Sequence, residues 1–466
     1  MKAGNTMQDE SPTIEFVNHA SVLISDEHCG LLTDPWLFGD AFHRGWALLT
    51  ETPDADITQV LNRTTHIWLS HEHPDHFSPP FFQRFRDQII ERGIRILFQK
   101  TRDRRVAEYL RSLDLPVIEL RAGRKYDLHE RFSVQVEPSD LYDSALIAQV
   151  ADVRIFNIND CPINNSTELD AFSGKYGTCD VLLTQFSYAA WKGGRDDVKW
   201  RERAARNKIA TVRRQIEAFK PGSCILFASF VRFANEQNCY LNDAVNTPDR
   251  VMEEQASTPA RLIFMAPGEE QPLDSLKQQP ASLDFWRKQY NNIAQAPLMT
   301  YSTSENVSSL VGLFKEYQAV LFRKNNRLLM RLARDLLPSH PLKPTVVRLT
   351  DLESEVRIDP FSELTVIRDS GTPADIALHS SSLAFCFRHP FGLDTLFVNG
   401  CFEEISPGGF GRFAKCFGIG NLNAAGVTVG FSSLLSLDVV RVLYRKLRSI
   451  QKQQGKNKKA SYHGLP

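Results

Sequence analysis

The run Ser70-His71-Glu72-His73-Pro74-Asp75-His76 constrains this chain more than any other stretch. It follows the apolar residues Ile67-Trp68-Leu69, so a buried strand leads directly into a turn crowded with imidazoles and carboxylates. That donor chemistry suits zinc, iron or manganese. His71 and His73 flank Glu72, and an extended turn aims both rings to one side. Asp75 and His76 then reach a second ion or the water bound to it. The competing reading is a polar loop with incidental histidines, and four ligand-type residues at fixed spacing speak against it. A two-ion site needs donors from several loops, so the fold must bring distant residues to this turn.

At 466 residues the chain is expected to form two or three domains. Its 42% hydrophobic content supplies a sizeable core. A formal net charge of zero points to neither nucleic acid nor an anionic membrane as a partner. The eight cysteines are scattered and form no C-x-x-C pair, so neither a cysteine zinc site nor a thioredoxin-type motif is indicated. Free thiols in a reducing cytoplasm are the simplest expectation. The stretch from Met1 to Ser11 is polar and lacks an apolar signal core, so secretion is not expected. Phe417 to Val440 is Gly-rich and fairly apolar, but Asn421, Asn423 and Asp438 interrupt it. It reads as a packed segment, with no membrane span expected. The tail 451–466 is basic and polar and is expected to be disordered.

Periodicity lays out mixed α and β structure. Short β-type runs cover Thr13 to Val17, Ser21 to Ser25 and Gly30 to Thr33. Thr65 to Ser70 is the strand before the histidine turn. Pro79 to Arg92 reads as one helix, with Phe81, Phe82, Phe85, Ile89 and Ile90 at helical spacing. Strands are expected at Arg95 to Gln99 and Pro116 to Leu120, with a helix over Arg102 to Leu113 between them. Ala145 to Val150 and Val153 to Ile158 form a hairpin-like pair. Val198 to Phe219 reads as one long helix, stopped by Pro221-Gly222. Two strand-rich halves with helices are expected to make a first domain over 12–270. A polar, Pro-containing stretch follows. A smaller α+β domain without an assigned role is expected over 281–450, helix-rich from Leu310 to Leu337. Beyond that it reads as short strands, of which Leu383-Ala384-Phe385-Cys386-Phe387 is the clearest.

Asp160 is the strongest ligand candidate outside the turn, because it ends the strand Arg154 to Ile158 and a carboxylate there can bridge two ions. His19 precedes a strand and Asp34 follows one. Both are candidates to support the ligands or approach the site, and His43 is a candidate substrate contact.

The pattern H-x-H-x-D-H at His71 to His76 resembles the metallo-β-lactamase superfamily. Leu31-Leu32-Thr33-Asp34-Pro35-Trp36-Leu37, Ala41-Phe42, Arg44-Gly45-Trp46 and Asn159-Asp160-Cys161 add a closer resemblance to the catalytic part of CMP-N-acetylneuraminate hydroxylase. It covers most of residues 13 to 270. The superfamily resemblance implies an αββα sandwich, with His71, His73, Asp75, His76 and Asp160 as metal ligands. A third-loop histidine is common there, four positions before a small residue. Here Asp140 precedes Ser144 by four, so Asp140 is the implied ligand and Asp143 its competitor. An oxygen donor at that place favours iron or manganese over zinc. The resemblance also implies a histidine ligand between Phe227 and Gln237, where none occurs. Asn235 is the nearest polar substitute. The hydroxylase family carries a Rieske iron–sulfur domain as well, which takes C-x-H and C-x-x-H in combination. This chain lacks that combination, so no Rieske cluster is expected in it.

Three functions remain open. The first is an iron-dependent oxygenase acting on an amide, sugar or nucleotide-linked small molecule, with electrons from a separate protein. The second is a two-metal hydrolase of an ester, amide or phosphodiester bond. There the ions acidify a bound water, and Asp75 with His76 carry the catalytic work. The third is a binding protein with a degenerate site. The basic residues Lys199, Arg201, Arg203, Arg206, Lys208, Arg213 and Arg214 are either a phosphate contact or a solvated helix face.

Overall fold

The computed structural model describes residues 11–139, 143–337, 340–367, 371, 373–424 and 426–430. Asp140, the end of the Gly-rich segment and the basic tail lie outside the described residues. Contacts divide the chain into two units. The first holds the segment up to Phe42, then Trp46–Ala234 and Cys239–Leu298; the second holds His43–Gly45, Asn235–Asn238 and the segment from Met299.

Two seven-stranded sheets make up most of the first unit. One runs, in spatial order, Glu269–Pro272, Thr13–Asn18, Ser21–Ser25, Gly30–Thr33, His66–Leu69, Arg95–Gln99 and Val117–Leu120. The other runs Arg261–Ile263, Ser223–Phe227, Val181–Gln185, Val153–Asn159, Asp143–Val150, Phe132–Ser139 and Lys125–His129. Strand alternation sorts the apolar side chains into layers. In His66–Leu69, Trp68 joins the core shared with the second sheet, while Ile67 and Leu69 face the opposite side. Leu97 and its neighbours Ile96 and Phe98 divide in the same way. The outward layer of the first sheet packs on Ile57, Phe81, Phe82 and Leu110 from helices. The second sheet's Phe156 packs edge-on to Phe172 and Phe219, from the helices Ser166–Tyr176 and Val198–Phe219. The result is an αββα sandwich.

The long helix spans Val198–Phe219 as read, and Lys220 closes it in the left-handed region at φ 49°. The expected helix over Pro79 to Arg92 is two helices, Pro79–Arg84 and Arg86–Glu91. Phe85 leaves helical geometry at ψ 14° while its ring stays on the same apolar layer.

In the second unit a five-stranded sheet orders Thr365–Ile367, Ser354–Ile358, Thr345–Leu349, Ile376–Leu378 and Glu403–Glu404. The run read as its clearest strand, Leu383 to Phe387, is instead helix Ser380–Arg388. The His379 ring accepts a hydrogen bond from Ser381 N–H at its start, and the helix is buried on nearly every face. A segment apolar all round carries no alternation to separate strand from helix. Cys386 and His389 have C-x-x-H spacing, but the Cys386 thiol donates to Gly392 O and the His389 ring packs on Phe385. Among the described residues no helix is long and apolar enough to cross a membrane.

Candidate metal centre

The candidate ligands meet where strands of the two sheets end. His66–Leu69 lies between the parallel strands Gly30–Thr33 and Arg95–Gln99, and its C-terminal end releases the histidine turn. Backbone bonds from His76 N–H and Phe77 N–H to His73 O close the turn at 3.0 and 2.7 Å. On the second sheet, Asp143 opens one strand and Asp160 follows the end of its antiparallel neighbour. Ser144 ties the sheets together, since its hydroxyl donates to Ser70 O at 2.7 Å while Ser144 O accepts from the Asn159 amide at 3.2 Å.

Among the described residues three ligand groups result, each with its donor atoms within 4.8 Å of one another: His71, His73 and Asp143; His71, His76 and Asp160; and His19, Asp75 and His76. The rings of His71 and His73 bring Nε2 and Nδ1 to 2.9 Å. His76 Nε2 stands 3.4 Å from Asp160 Oδ1 and 3.5 Å from Asp75 Oδ2. Asp143 Oδ1 is 3.8 Å from His71 Nε2, so the carboxylate once read as the competitor of Asp140 lies beside the first two histidines. Glu72 turns away and pairs with Arg105.

Asp34 holds the arrangement from behind. Its carboxylate accepts from Ser70 N–H at 2.7 Å and from the Ser70 hydroxyl at 2.8 Å, and Oδ2 lies 3.0 Å from His76 Nδ1. Having donated to Asp34, the Ser70 oxygen is free to accept from His71 Nδ1, 2.9 Å away. Both rings thereby present Nε2 to the cluster, the arrangement metal-bound histidines adopt. Ser70 was not singled out in the sequence, because its role depends on Asp34, 36 residues away.

Electrostatics follow from burial. Burial would lower the pKa of His76, but the carboxylates of Asp75, Asp160 and Asp34 outweigh it and hold the imidazole well above its ordinary value. His71 goes the other way, pushed down by burial and then by the rings of His76 and His73. Asp160 would rise on burial, yet the His76 and His71 rings hold it below the usual carboxylate range. Several buried polar atoms make no hydrogen bond: both His19 ring nitrogens, Asp75 Oδ1, His76 Nε2 and Asp160 Oδ1. Leaving one such atom unsatisfied costs about 1–3 kcal/mol. One such atom from each of these four residues, within the grouped ligand sets, fits divalent cations better than an apolar or hydrogen-bonded core.

A recess beside Asp75 is lined by Trp46, Gln185, Ser187, Tyr188, Ser229 and Phe233. The Lys208 amine donates to Gln185 there, while Asp160 and Asp143 partly offset the lowering of its pKa by burial. Several other basic residues of this helix are engaged elsewhere. Arg201 is fully buried on Asp243 and two carbonyls, Arg213 donates to Glu254 O, and Arg206 pairs with Glu202. His43 and Asn235 belong to the second unit. There His43 stacks between Tyr301 and Phe385 at 4.9 and 4.3 Å. The Asn235 amide donates to Arg44 O, and its oxygen accepts from Gln237 N–H.

No family model matches the chain. It is similar to the cytidine monophosphate-N-acetylneuraminic acid hydroxylase of Danio rerio, 26% identical over 261 residues, covering 52% of this chain and 42% of that protein. A putative Rieske 2Fe-2S iron–sulfur protein of Mycolicibacterium smegmatis is 26% identical over 182 residues, 38% of this chain and 34% of that protein. The chain thus spans less than half the length of either relative. CmlA, a diiron beta-hydroxylase from Streptomyces venezuelae, aligns at a TM-score of 0.38 and 16% identity, over 56% of this chain and 54% of CmlA.

Proposed function

We propose that the sandwich, centred on residues 12–270, is the catalytic domain of an iron-dependent oxygenase. Its substrate would be an amide, sugar or nucleotide-linked small molecule, and a separate protein would supply electrons. The observation that carries the reading is the set of buried, unbonded ligand atoms on His19, Asp75, His76 and Asp160, with His71 grouped both with His76 and Asp160 and with His73 and Asp143. Three carboxylates among these ligands make the set oxygen-rich, which suits iron or manganese. The hydroxylase named among the relatives supports the reaction class. The Rieske relative supports electron supply from outside, because this chain has no C-x-H and C-x-x-H combination of its own.

His71, His73, Asp143 and Asp160 would hold one ion, and Asp75, His76 and Asp160 the other. When bound, the pair would supply O₂ activation. The chain's own residues do the positioning. Asp34 fixes the His76 ring, Ser70 links it to His71, and Ser144 keeps the second sheet's carboxylates in register with the turn. The recess beside Asp75 has room for about one water molecule next to the cluster, with Gln185 on its wall.

A second reading, metal-dependent hydrolysis, draws on Asp75 Oδ1, which is buried, unbonded and placed on that recess to accept a proton from water. Metal analysis of the purified protein separates the two. The oxygenase reading expects two irons per chain with a diiron Mössbauer signature, and O₂ uptake with a chemical reductant. Zinc alone, with no O₂ uptake under any reductant, overturns it in favour of hydrolysis.

A further inference from the structure

The superfamily pattern places a histidine ligand between Phe227 and Gln237, and this chain has none there. Asn235, the nearest substitute in sequence, spends its amide on backbone groups of the second unit. Among the described residues, that pattern then leaves the second metal position with Asp75, His76 and Asp160, and any further donor must come from another part of the fold. His19 stands where that donor is needed. Its ring is 1% exposed, and neither nitrogen makes a hydrogen bond. Nε2 lies 3.6 Å from Asp75 Oδ2, and the ring centroid is 5.9 Å from that of His76.

The surroundings of His19 show how the exchange of ligand is built. Its backbone is left-handed at φ 39°, a conformation a non-glycine residue holds only under constraint. Asn18 applies part of it: Oδ1 accepts from His19 N–H at 2.9 Å, while the Asn18 amide is anchored on Thr50 O and Thr52. Trp36 packs edge-on to the ring at 5.4 Å. The remaining strut comes from the late loop itself, where Ala228 N–H donates to His19 O at 2.7 Å. The segment expected to supply a side-chain ligand instead contributes a backbone donor that braces another residue.

We propose that His19, through Nε2, is the terminal ligand of the second metal position, in place of a late-strand histidine. The proposal rests on the two-metal reading above. The test is metal titration of the full chain with Fe(II) under anaerobic conditions and with Co(II), counting ions per chain and recording the Co(II) absorption spectrum. Wild type is expected to bind two ions. His19→Ala should bind one tightly, with the second weakened at least tenfold and partly restored by added imidazole. Asn235→Ala should keep both. His19→Gln, closer to the native volume, is expected to fold where alanine destabilises the strand turn, and to show the same loss. His19→Cys should add a thiolate-to-cobalt charge-transfer band, which a merely structural residue would not produce. Two ions bound by the alanine and glutamine variants with unchanged affinity and spectrum would overturn the assignment and leave the two-metal reading intact. A wild-type protein that binds fewer than two ions would overturn the two-metal reading itself.

Discussion

Histidines cluster in both units of this molecule, and the two surround them with different groups. In the first unit His71, His73 and His76 lie among carboxylates, with Asp34 fixing one ring from behind. In the second unit His43 lies between Tyr301 and Phe385, His379 packs on Tyr301, and His389 on Phe385. Burial pushes a histidine towards neutrality in both places. At His76 three carboxylates reverse it and hold the ring well above its ordinary value, while burial, followed by the nearby His389, takes His43 down to about 4. Residue type is shared, so the neighbours and the depth of burial separate a candidate ligand set from a packed aromatic stack.

The largest expected effect breaks the first region. Asp160 is the carboxylate that would be shared by both positions, so Asp160→Asn should abolish binding of both ions and activity together. Retention of two ions on metal analysis would show that the cluster is assembled differently. Asp34→Asn is next. Its amide would place an N–H against His76 Nδ1 and drive the imidazole proton to Nε2, the nitrogen that faces the cluster. Metal affinity should fall by about 10–100-fold, read by competition with a chelator, and unchanged affinity would remove Asp34 from the support of the site.

The second region yields a pH test. The folded-state pKa of His43, about 4, lies below its ordinary value, so folding disfavours its protonation. Its contribution is therefore complete above an unfolded value of about 6.5 and is lost as pH falls from there towards 4. His43→Phe keeps an aromatic ring in the stack without the proton. Hydrogen exchange over residues 379–389 should be less acid-sensitive in the variant than in wild type between those pH values. Equal sensitivity would place the acid-labile group elsewhere. The smallest effect belongs to Ser144→Ala, which removes the hydroxyl from Ser70 O and should cost about 1 kcal/mol in denaturant unfolding.

Features whose cause is local were legible in the sequence. The histidine turn could be read because its donors sit within six positions after an apolar strand. The helix Val198–Phe219 was legible from its apolar spacing and the Pro221-Gly222 stop. The Arg95–Gln99 strand was legible from composition and flanking turns. Reading was less secure where one apolar run suits two periods, as at Leu383 to Phe387, or where a ring keeps its layer while the backbone breaks, as at Phe85.

Spacing within one turn sets which side chains point together, and that much the chain carries in its letters: His71, His73, Asp75 and His76 as one group of candidate ligands. Which distant residues join them depends on how sheets pair and which strand ends share an edge, and no local pattern encodes that. Only the tertiary structure placed Asp143 against His71, set Ser70 between Asp34 and two imidazoles, and brought His19 to Asp75 across 56 residues of chain. Sequence distance says nothing about such a contact, because strand register, hydrogen-bonded across the whole sheet, fixes it.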